Sequence, residues 1–258
     1  MKLKLIALAA VLAVAGSANA AVIDNGATGN GGLFFNIWDG ANSYSRNLGY
    51  SIDSFEAGLA AAGAIDLSFA ADATFTSFLS SANTASLQFN IAATDNSGAR
   101  RLLETFAILP AASGNKTNDS VRTMAGAVSG FVSAINGSLV SADSATFAVG
   151  ATGYAGNTTN TLQGAGGLNF SNAGTLTNAS YSSGLGFLKI DALSGGIAKS
   201  IYTPYVDGTD AVKVYLDGSN ALHISAVTAV PEPESYAMLL AGLGLMGAIA
   251  RRRNKKSA

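Results

Sequence analysis

Short segments in which apolar and polar residues alternate recur along this chain and constrain its fold more than any other feature. The clearest carries Leu87, Phe89 and Ile91 and ends in the turn-forming run 94–98. Alternation with a period of two is typical of a strand with one buried face. Similar segments lie at Phe34–Trp38, Leu48–Ile52, Ile65–Phe69, Arg101–Leu109, Thr146–Ala151, Leu185–Ile190 and Ala211–Leu216. The sequence therefore predicts a mainly β body.

Two further patterns add local detail. The run Asp217-Gly218-Ser219-Asn220 separates two alternating segments and predicts a terminal hairpin that ends near Val227. Asp72 is placed to cap a short helix that carries Phe75, Phe78 and Leu79. A longer amphipathic helix is predicted where apolar residues recur at three- and four-residue steps and Asn136-Gly137 ends the pattern: Val121, Met124, Val128, Phe131, Val132 and Ile135.

No repeat or linker divides the body, so one domain is predicted over residues 21–229. About eight to ten short strands with one or two helices favour a β-sandwich or jelly-roll-like fold. The chain of 258 residues contains no Cys, so disulfides and thiolate metal sites are excluded and the body must be stable by packing alone.

The charge of the body differs from that of the whole chain, which is −1. Of the fifteen basic residues, two lie in the first four positions and five in the last eight; eight therefore remain in the body, against fourteen acids, which leaves the body near −6. Such a balance disfavours nucleic acid and anionic membrane surfaces as partners.

The N-terminus has the three-part layout of a secretory signal peptide. Lys2 and Lys4 precede the apolar run Leu5–Gly16, and Ala18 and Ala20 supply the small residues of a cleavage site. The apolar run is too short to span a bilayer comfortably, and residues 1–20 are therefore predicted to be a signal peptide removed after Ala20.

The C-terminus, residues 230–258, combines three unlike features in a fixed order. Pro231, Glu232 and Pro233 hold the chain extended, because proline fixes φ and removes a hydrogen-bond donor. The uncharged stretch 236–250 follows and predicts a short transmembrane helix of about 22 Å. A basic membrane stop closes the chain, and the positive-inside rule keeps it cytoplasmic and places the body outside: Arg251, Arg252 and Arg253.

This order of Pro-Glu-Pro, apolar helix and Arg cluster resembles the PEP-CTERM sorting signal of Gram-negative bacteria. The resemblance covers about a tenth of the chain, and the alternative is a plain C-terminal membrane anchor. It implies processing by exosortase, a membrane enzyme, and an association with exopolysaccharide and biofilm. The protein would be anchored transiently in the inner membrane and then reach the cell surface or the exterior. The segment Phe34–Thr105 also loosely resembles the bodies of other PEP-CTERM proteins and brings no known activity.

Candidate catalytic residues are sparse, and no cofactor is predicted. His223 is the single His and is interpreted as a surface or edge-strand residue. Asp53, Glu56 and Asp66 are close in sequence and could form a carboxylate pair of the kind that hydrolyses glycosides, although none lies in a recognisable motif. Solvated turn acids are the simpler interpretation.

Two binding alternatives stay open at this point. Asp24-Asn25-Gly26 and Asp207–Asp210 offer hard oxygen ligands for calcium but lack EF-hand spacing, so no metal site is predicted. The aromatic residues near the mature N-terminus could stack on sugars, but a core role is favoured: Phe34, Phe35, Trp38, Tyr44 and Tyr50. The sequence thus favours a non-enzymatic surface or matrix protein that meets polysaccharide, with an extracellular carbohydrate-binding or carbohydrate-active jelly-roll protein as the alternative.

Overall fold

The computed structural model describes residues 22–60, 65–98, 100–107, 109, 112–139, 142–156, 184–193 and 195–226. The chain divides into two compact units, Met1–Ala226 and Val227–Ala258, and every described residue belongs to the first. The predicted signal peptide with Ala18 and Ala20 lies outside the described residues, as does the predicted sorting tail with Pro231–Pro233 and Arg251–Arg253.

Twelve strands form the body's sheets among the described residues, and every pairing is antiparallel. They are β1 Gly32–Trp38, β2 Asn42–Ser51, β3 Asp66–Phe69, β4 Gln88–Thr94, β5 Arg101–Phe106, β6 Ser144–Ala148, β7 Leu185–Asp191, β8 Ile201–Pro204, β9 Val206–Asp207, β10 Asp210–Ala211, β11 Lys213–Leu216 and β12 Leu222–Ser225. The large sheet has the order β3-β12-β11-β7-β5-β4-β1-β2-β6, with β8 paired to β7. Strands β9 and β10 form a separate two-stranded ribbon.

Three α-helices accompany the sheet in the described residues: α1 Ile52–Ala60, α2 Ala73–Ser81 and α3 Asn118–Asn136. The predicted cap of α2 is confirmed, because the Asp72 side chain accepts a hydrogen bond from the backbone N–H of Phe75 at 2.7 Å. The predicted long helix is confirmed as α3, which Thr117 caps at its start and Gly137 follows at its end.

Apolar side chains pack on both faces of the central strands. Along β1, Leu33, Phe35 and Ile37 point to the face that also carries α1 and α2. Phe34 and Trp38 point to the opposite face, where they join the apolar side of α3. Successive strand residues face opposite sides of a sheet, and all seven residues of β1 are buried. This strand therefore lies at the centre of a layered body.

The predicted sandwich or jelly-roll differs from what the described residues form. A single sheet of ten strands curls, so that β11 and β12 near one end share an apolar cluster with β1 and β2 towards the other. The right-handed twist of paired strands accounts for such curling. The second face of the sheet is covered by α3 rather than by another sheet. The mainly β class is confirmed; the packing of layers and the number of helices are corrected.

The terminal hairpin is confirmed in position and register. Val214 lies opposite Ile224, and Leu216 lies opposite Leu222. The turn is held by the Asp217 carboxylate, which accepts hydrogen bonds from the backbone N–H groups of Ser219 and Ala221. Four of these elements were not predicted: α1, whose first residue Ile52 had been assigned to a strand, and the three short strands β8, β9 and β10.

Candidate functional site

Two of the predicted acids meet at one guanidinium group. Arg101 on β5 donates from Nη2 to Asp53 at 2.6 Å and from Nη1 to Glu56 at 2.8 Å, both on α1. Its Nε donates to Asp95 at 2.6 Å, and the Asp95 side chain is 1% exposed. Helix α1 places the two acids one turn apart, which allows both to reach the same partner.

Glu56 is engaged at both carboxylate oxygens. Oε2 binds Arg101, while Oε1 accepts a hydrogen bond from the Tyr205 hydroxyl at 2.8 Å and lies 3.3 Å from Lys189 Nζ. Burial and the charge of Glu56 raise the pKa of Tyr205. The cluster thus joins α1, β5 and β7 through charge-assisted hydrogen bonds, an arrangement that stabilises packing between elements.

Arg101 is held firmly in its charged form. Its partial burial alone would lower its pKa, but hydrogen bonds to Asp53 and Asp95 and the charges of Asp95 and Glu56 raise it overall. The pKa of nearby Asp191 is raised by burial, with the charge of Lys189 acting in the opposite direction.

The remaining predicted acids lie elsewhere in the described body. Asp66 is on β3 opposite Ser225 and forms no ion pair with the Arg101 group. Asp207 lies opposite Asp210 in the β9–β10 ribbon, and its Oδ2 accepts a hydrogen bond from the backbone N–H of Ile65 at 2.6 Å. The structure therefore brings Asp53 and Glu56 together and leaves Asp66 apart.

His223 lies on β12 beside Tyr215 of β11. The two rings stack at 4.9 Å, and His223 Nε2 is 3.0 Å from Asp217 Oδ2. Ser219 Oγ also bonds to Asp217, at 2.7 Å. The carboxylate therefore lies between the His and the Ser, whereas a Ser-His-Asp triad needs the His between the other two.

The aromatic residues near the N-terminus lie in the interior. Phe34, Phe35, Trp38 and Tyr44 are at most 3% exposed, and Tyr50 packs partly buried against the cluster that contains Phe35 and Tyr44. Their predicted core role is confirmed, because buried ring faces are closed to a sugar in solution. Tyr44 also donates a hydrogen bond to Asp72 at 2.7 Å, and burial raises its pKa.

The side chains of the candidate calcium loop at Asp24-Asn25-Gly26 bind the backbone of their own loop. Asp24 accepts from the Gly26 N–H, and Asn25 accepts from the Ala27 N–H, so both act as turn-forming side chains. Across the described ranges, no set of three or more His, Asp or Glu side chains is arranged to hold a metal ion.

The sequence alone did not indicate the polar side chains that are buried on the central strands. Asn36 of β1 and Asn90 of β4 are fully buried on the α3 face, where Asn36 Nδ2 donates to Asn90 Oδ1 at 3.0 Å and Ser45 Oγ donates to Asn36 Oδ1 at 2.6 Å. Glu104 of β5 is also buried at 1% exposure, and its charge adds to the effect of burial in raising the pKa of Tyr202. The sequence signal that could have indicated these buried residues is a polar side chain at a strand position next to apolar ones.

Comparison with known protein families identifies a known motif in the C-terminal part of the chain. Residues 229–254 match the model of the PEP-CTERM protein-sorting motif. The chain carries a PEP-CTERM sorting signal. The matched range contains Pro231–Pro233 and Arg251–Arg253. No curated protein and no solved structure shows significant similarity to the chain.

The PEP-CTERM signal makes the chain an exosortase substrate and implies export, with anchoring in the membrane before cleavage. The motif begins three residues after Ala226, the last described residue of the body. Among the described residues, none of the helices has both the length and the apolar character required for a membrane span.

Proposed function

We propose that the body is a non-catalytic structural or adhesive protein of the cell surface or extracellular matrix, linked to exopolysaccharide or biofilm. The observation that carries this proposal is the PEP-CTERM motif at residues 229–254, directly after a folded body. Processing removes the signal peptide after Ala20, and exosortase then releases the body from its transient anchor, the uncharged segment 236–250.

Two features of the body support a structural role. Its acids Asp53 and Glu56 are engaged by Arg101, and its buried aromatic residues stabilise the core. Its two apolar clusters lie in the first compact unit, Met1–Ala226, and pack on the two faces of the large sheet. A protein without disulfides that works outside the cell needs such a packed interior.

Mass spectrometry of the protein from its host tests the sorting part of the proposal. We expect a mature form that starts at Ala21 and lacks the basic C-terminus, and accumulation of the longer form in cells without exosortase. Recovery of the intact 258-residue chain as the main product in wild-type cells would refute the sorting role.

Deletion of the gene tests the matrix role. We expect the mutant to form biofilm with less retained exopolysaccharide, and the mature body to restore it when supplied from outside. The alternative, a carbohydrate-active enzyme, predicts instead that the purified body shortens exopolysaccharide chains over time. Size-exclusion chromatography of treated polysaccharide distinguishes the two, because a structural protein leaves the chain length unchanged.

A further inference from the structure

Strand β6 forms one end of the large sheet and has an open edge. Among the described residues it pairs only with β2, and β3 forms the other end of the sheet. The Val149 N–H donates to the Ala41 carbonyl at 2.7 Å, which fixes the residues of β6 that bond to β2. Bonded and non-bonded pairs alternate in an antiparallel ladder. The backbone groups of Ser144, Thr146 and Ala148 are therefore directed away from β2.

The open edge of β6 lacks the devices that usually keep the strands of separate molecules apart. Natural edge strands carry charged residues, prolines or bulges, or they are covered by another element. Residues 144–152 contain no charged residue and no Pro. Thr146 and Ala148 are both exposed to solvent. Their outward backbone N–H groups can therefore bond to a further strand.

Strand β3, at the other end of the sheet, is protected. Its register with β12 directs the backbone groups of Asp66 and Ala70 outwards. The Ala70 carbonyl accepts a hydrogen bond from Arg46 Nη1 at 2.6 Å, and the Arg46 guanidinium lies 5.9 Å from the centre of the Phe69 ring. Asp66 adds a charge at the same edge. Of the two ends of the sheet, β6 is thus the one prepared for pairing.

Helix α2 extends the uncharged surface of β6. It lies against β2 and β6, and residues 73–94 contain no charged side chain. Its exposed positions include the small polar residues Thr76, Ser77 and Ser80. The acidic body otherwise repels its own copies, whereas copies that meet at this surface bring no like charges together. The centres of protein interfaces are depleted of charged residues in the same way.

We propose that β6 pairs edge to edge with β6 of a second copy of this chain, antiparallel about a two-fold axis at Thr146. Thr146 then exchanges both backbone hydrogen bonds with the same residue of the second copy, and each Ala148 N–H donates to the Ser144 carbonyl across the axis. The Ala148 carbonyl accepts from the Ala151 N–H at 3.1 Å, so the pairing ends there. Because the axis occupies both open edges, the assembly is a closed dimer. The proposal is independent of the matrix role.

Thr146→Pro tests the pairing because it removes a backbone N–H that β2 does not use. Proline is tolerated on an edge strand when the missing N–H faces outwards. Ala145→Pro is the matched control, since it removes the N–H that bonds to Ser45 and should lower the melting temperature. Sedimentation equilibrium of the full-length chain in detergent micelles should show a wild-type dimer. Thr146→Pro should raise its dissociation constant about tenfold or more, with little change in melting temperature.

Opposite charges at position 146 test the register of the pairing. Thr146→Lys and Thr146→Asp should each weaken the dimer, because like charges then face each other across the axis. A mixture of equal amounts of the two variants should restore dimerisation, since the opposed charges now attract. A defect in folding would not be repaired by mixing.

A single introduced thiol reports the geometry directly, because the chain contains no Cys. Thr146→Cys should form an intermolecular disulfide under mild oxidation, since residues that face each other in a bonded pair lie within reach of a disulfide. Ser68→Cys on β3 is the control, because it is also exposed on an end strand of the sheet. This control should remain largely monomeric.

Several results would overturn the proposal. A wild-type chain that stays monomeric at its highest soluble concentration would show that the edge of β6 does not pair. A dimer that persists unchanged in Thr146→Pro would place the contact elsewhere, for example in the sorting tail. A mixture of the two charged variants that stays monomeric would exclude the two-fold axis at Thr146. Equal cross-linking at positions 68 and 146 would indicate random collisions.

Discussion

The side chain of Asn136 binds the backbone of Ile23 in both directions. Its Oδ1 accepts from the Ile23 N–H at 3.0 Å, and its Nδ2 donates to the Ile23 carbonyl at 2.8 Å. Ile23 is itself 2% exposed and packs in the cluster beneath α3. The last residue of α3 thus fixes the start of the mature chain, three residues after the predicted cleavage site.

Replacing Asn136 with Ala should therefore destabilise the mature body. Two backbone groups lose their partner, at a cost of about 1–3 kcal/mol in the free energy of unfolding. Urea unfolding followed by circular dichroism measures the change. Ser133→Ala on the same helix is the control, since its hydroxyl accepts a hydrogen bond from the half-buried Asn25 side chain at the surface and should matter less. Equal effects of the two substitutions would contradict the role of Asn136.

Substitutions at different members of the Arg101 cluster should destabilise the protein to different extents. Arg101→Met leaves Asp95 charged and buried without its cation, and should cost about 3–5 kcal/mol of stability. Asp53→Asn should cost about 1 kcal/mol or less, because the Asp53 side chain is 60% exposed and solvent screens its ion pair. Chemical denaturation of both variants checks the order; a larger loss for Asp53→Asn would refute this account.

The Asp217 carboxylate should make the stability of the protein depend on pH in the acidic range. Burial acts to raise its pKa, but hydrogen bonds from Ser219, His223 and Ala221 outweigh this and lower the pKa to about 2. A carboxyl whose pKa falls on folding stabilises the protein fully above its unfolded value of about 3.9, and this contribution is lost as the pH falls towards 2.

Asp217→Asn should therefore flatten the dependence of the melting temperature on pH between about 4 and 2. The variant should be less stable than the wild type at pH 6 and closer to it at pH 2. Thermal melts across this range provide the measurement. Parallel curves for the two proteins would show that Asp217 makes no contribution.

Substitutions in the sorting signal should impair removal of the tail without affecting the stability of the body. Pro231→Ala combined with Pro233→Ala should leave the melting temperature of the body unchanged, because both belong to the second compact unit, Val227–Ala258. The same variant should accumulate with its tail attached, which mass spectrometry of the membrane fraction detects. Normal trimming of this variant would mean that the prolines are not read by the processing enzyme.

Local elements could be predicted well from the sequence because their causes are local. The alternation around Leu87, Phe89 and Ile91 follows from one buried strand face, and the turn at Asp217 follows from a side chain that bonds its own backbone. Helix α1 was missed because Ile52 continues the alternation of β2 before the chain turns helical. The local sign of that change is Ser51, whose Oγ accepts from the Ser54 N–H at 3.2 Å while Ser54 Oγ accepts from the Ser51 N–H at 2.9 Å, as at a capped helix start.

In the candidate site, too, the local features could be predicted from the sequence and the contacts between distant residues could not. Asp53 and Glu56 were identified as neighbours in sequence, but their shared partner Arg101 is 48 and 45 residues away from them. The buried pair of Asn36 and Asn90 likewise depends on which strands become neighbours. Such partners are set by strand order, which sequence periodicity does not encode.

The sequence by itself determined most of the longer strands, the helices α2 and α3 and the PEP-CTERM signal, because each depends on residues that are close together along the chain. Only the tertiary structure decided that ten strands form one curled sheet and that Arg101 collects three carboxylates. These features arise from pairing between distant segments, where the burial of apolar surface over the whole chain selects the arrangement.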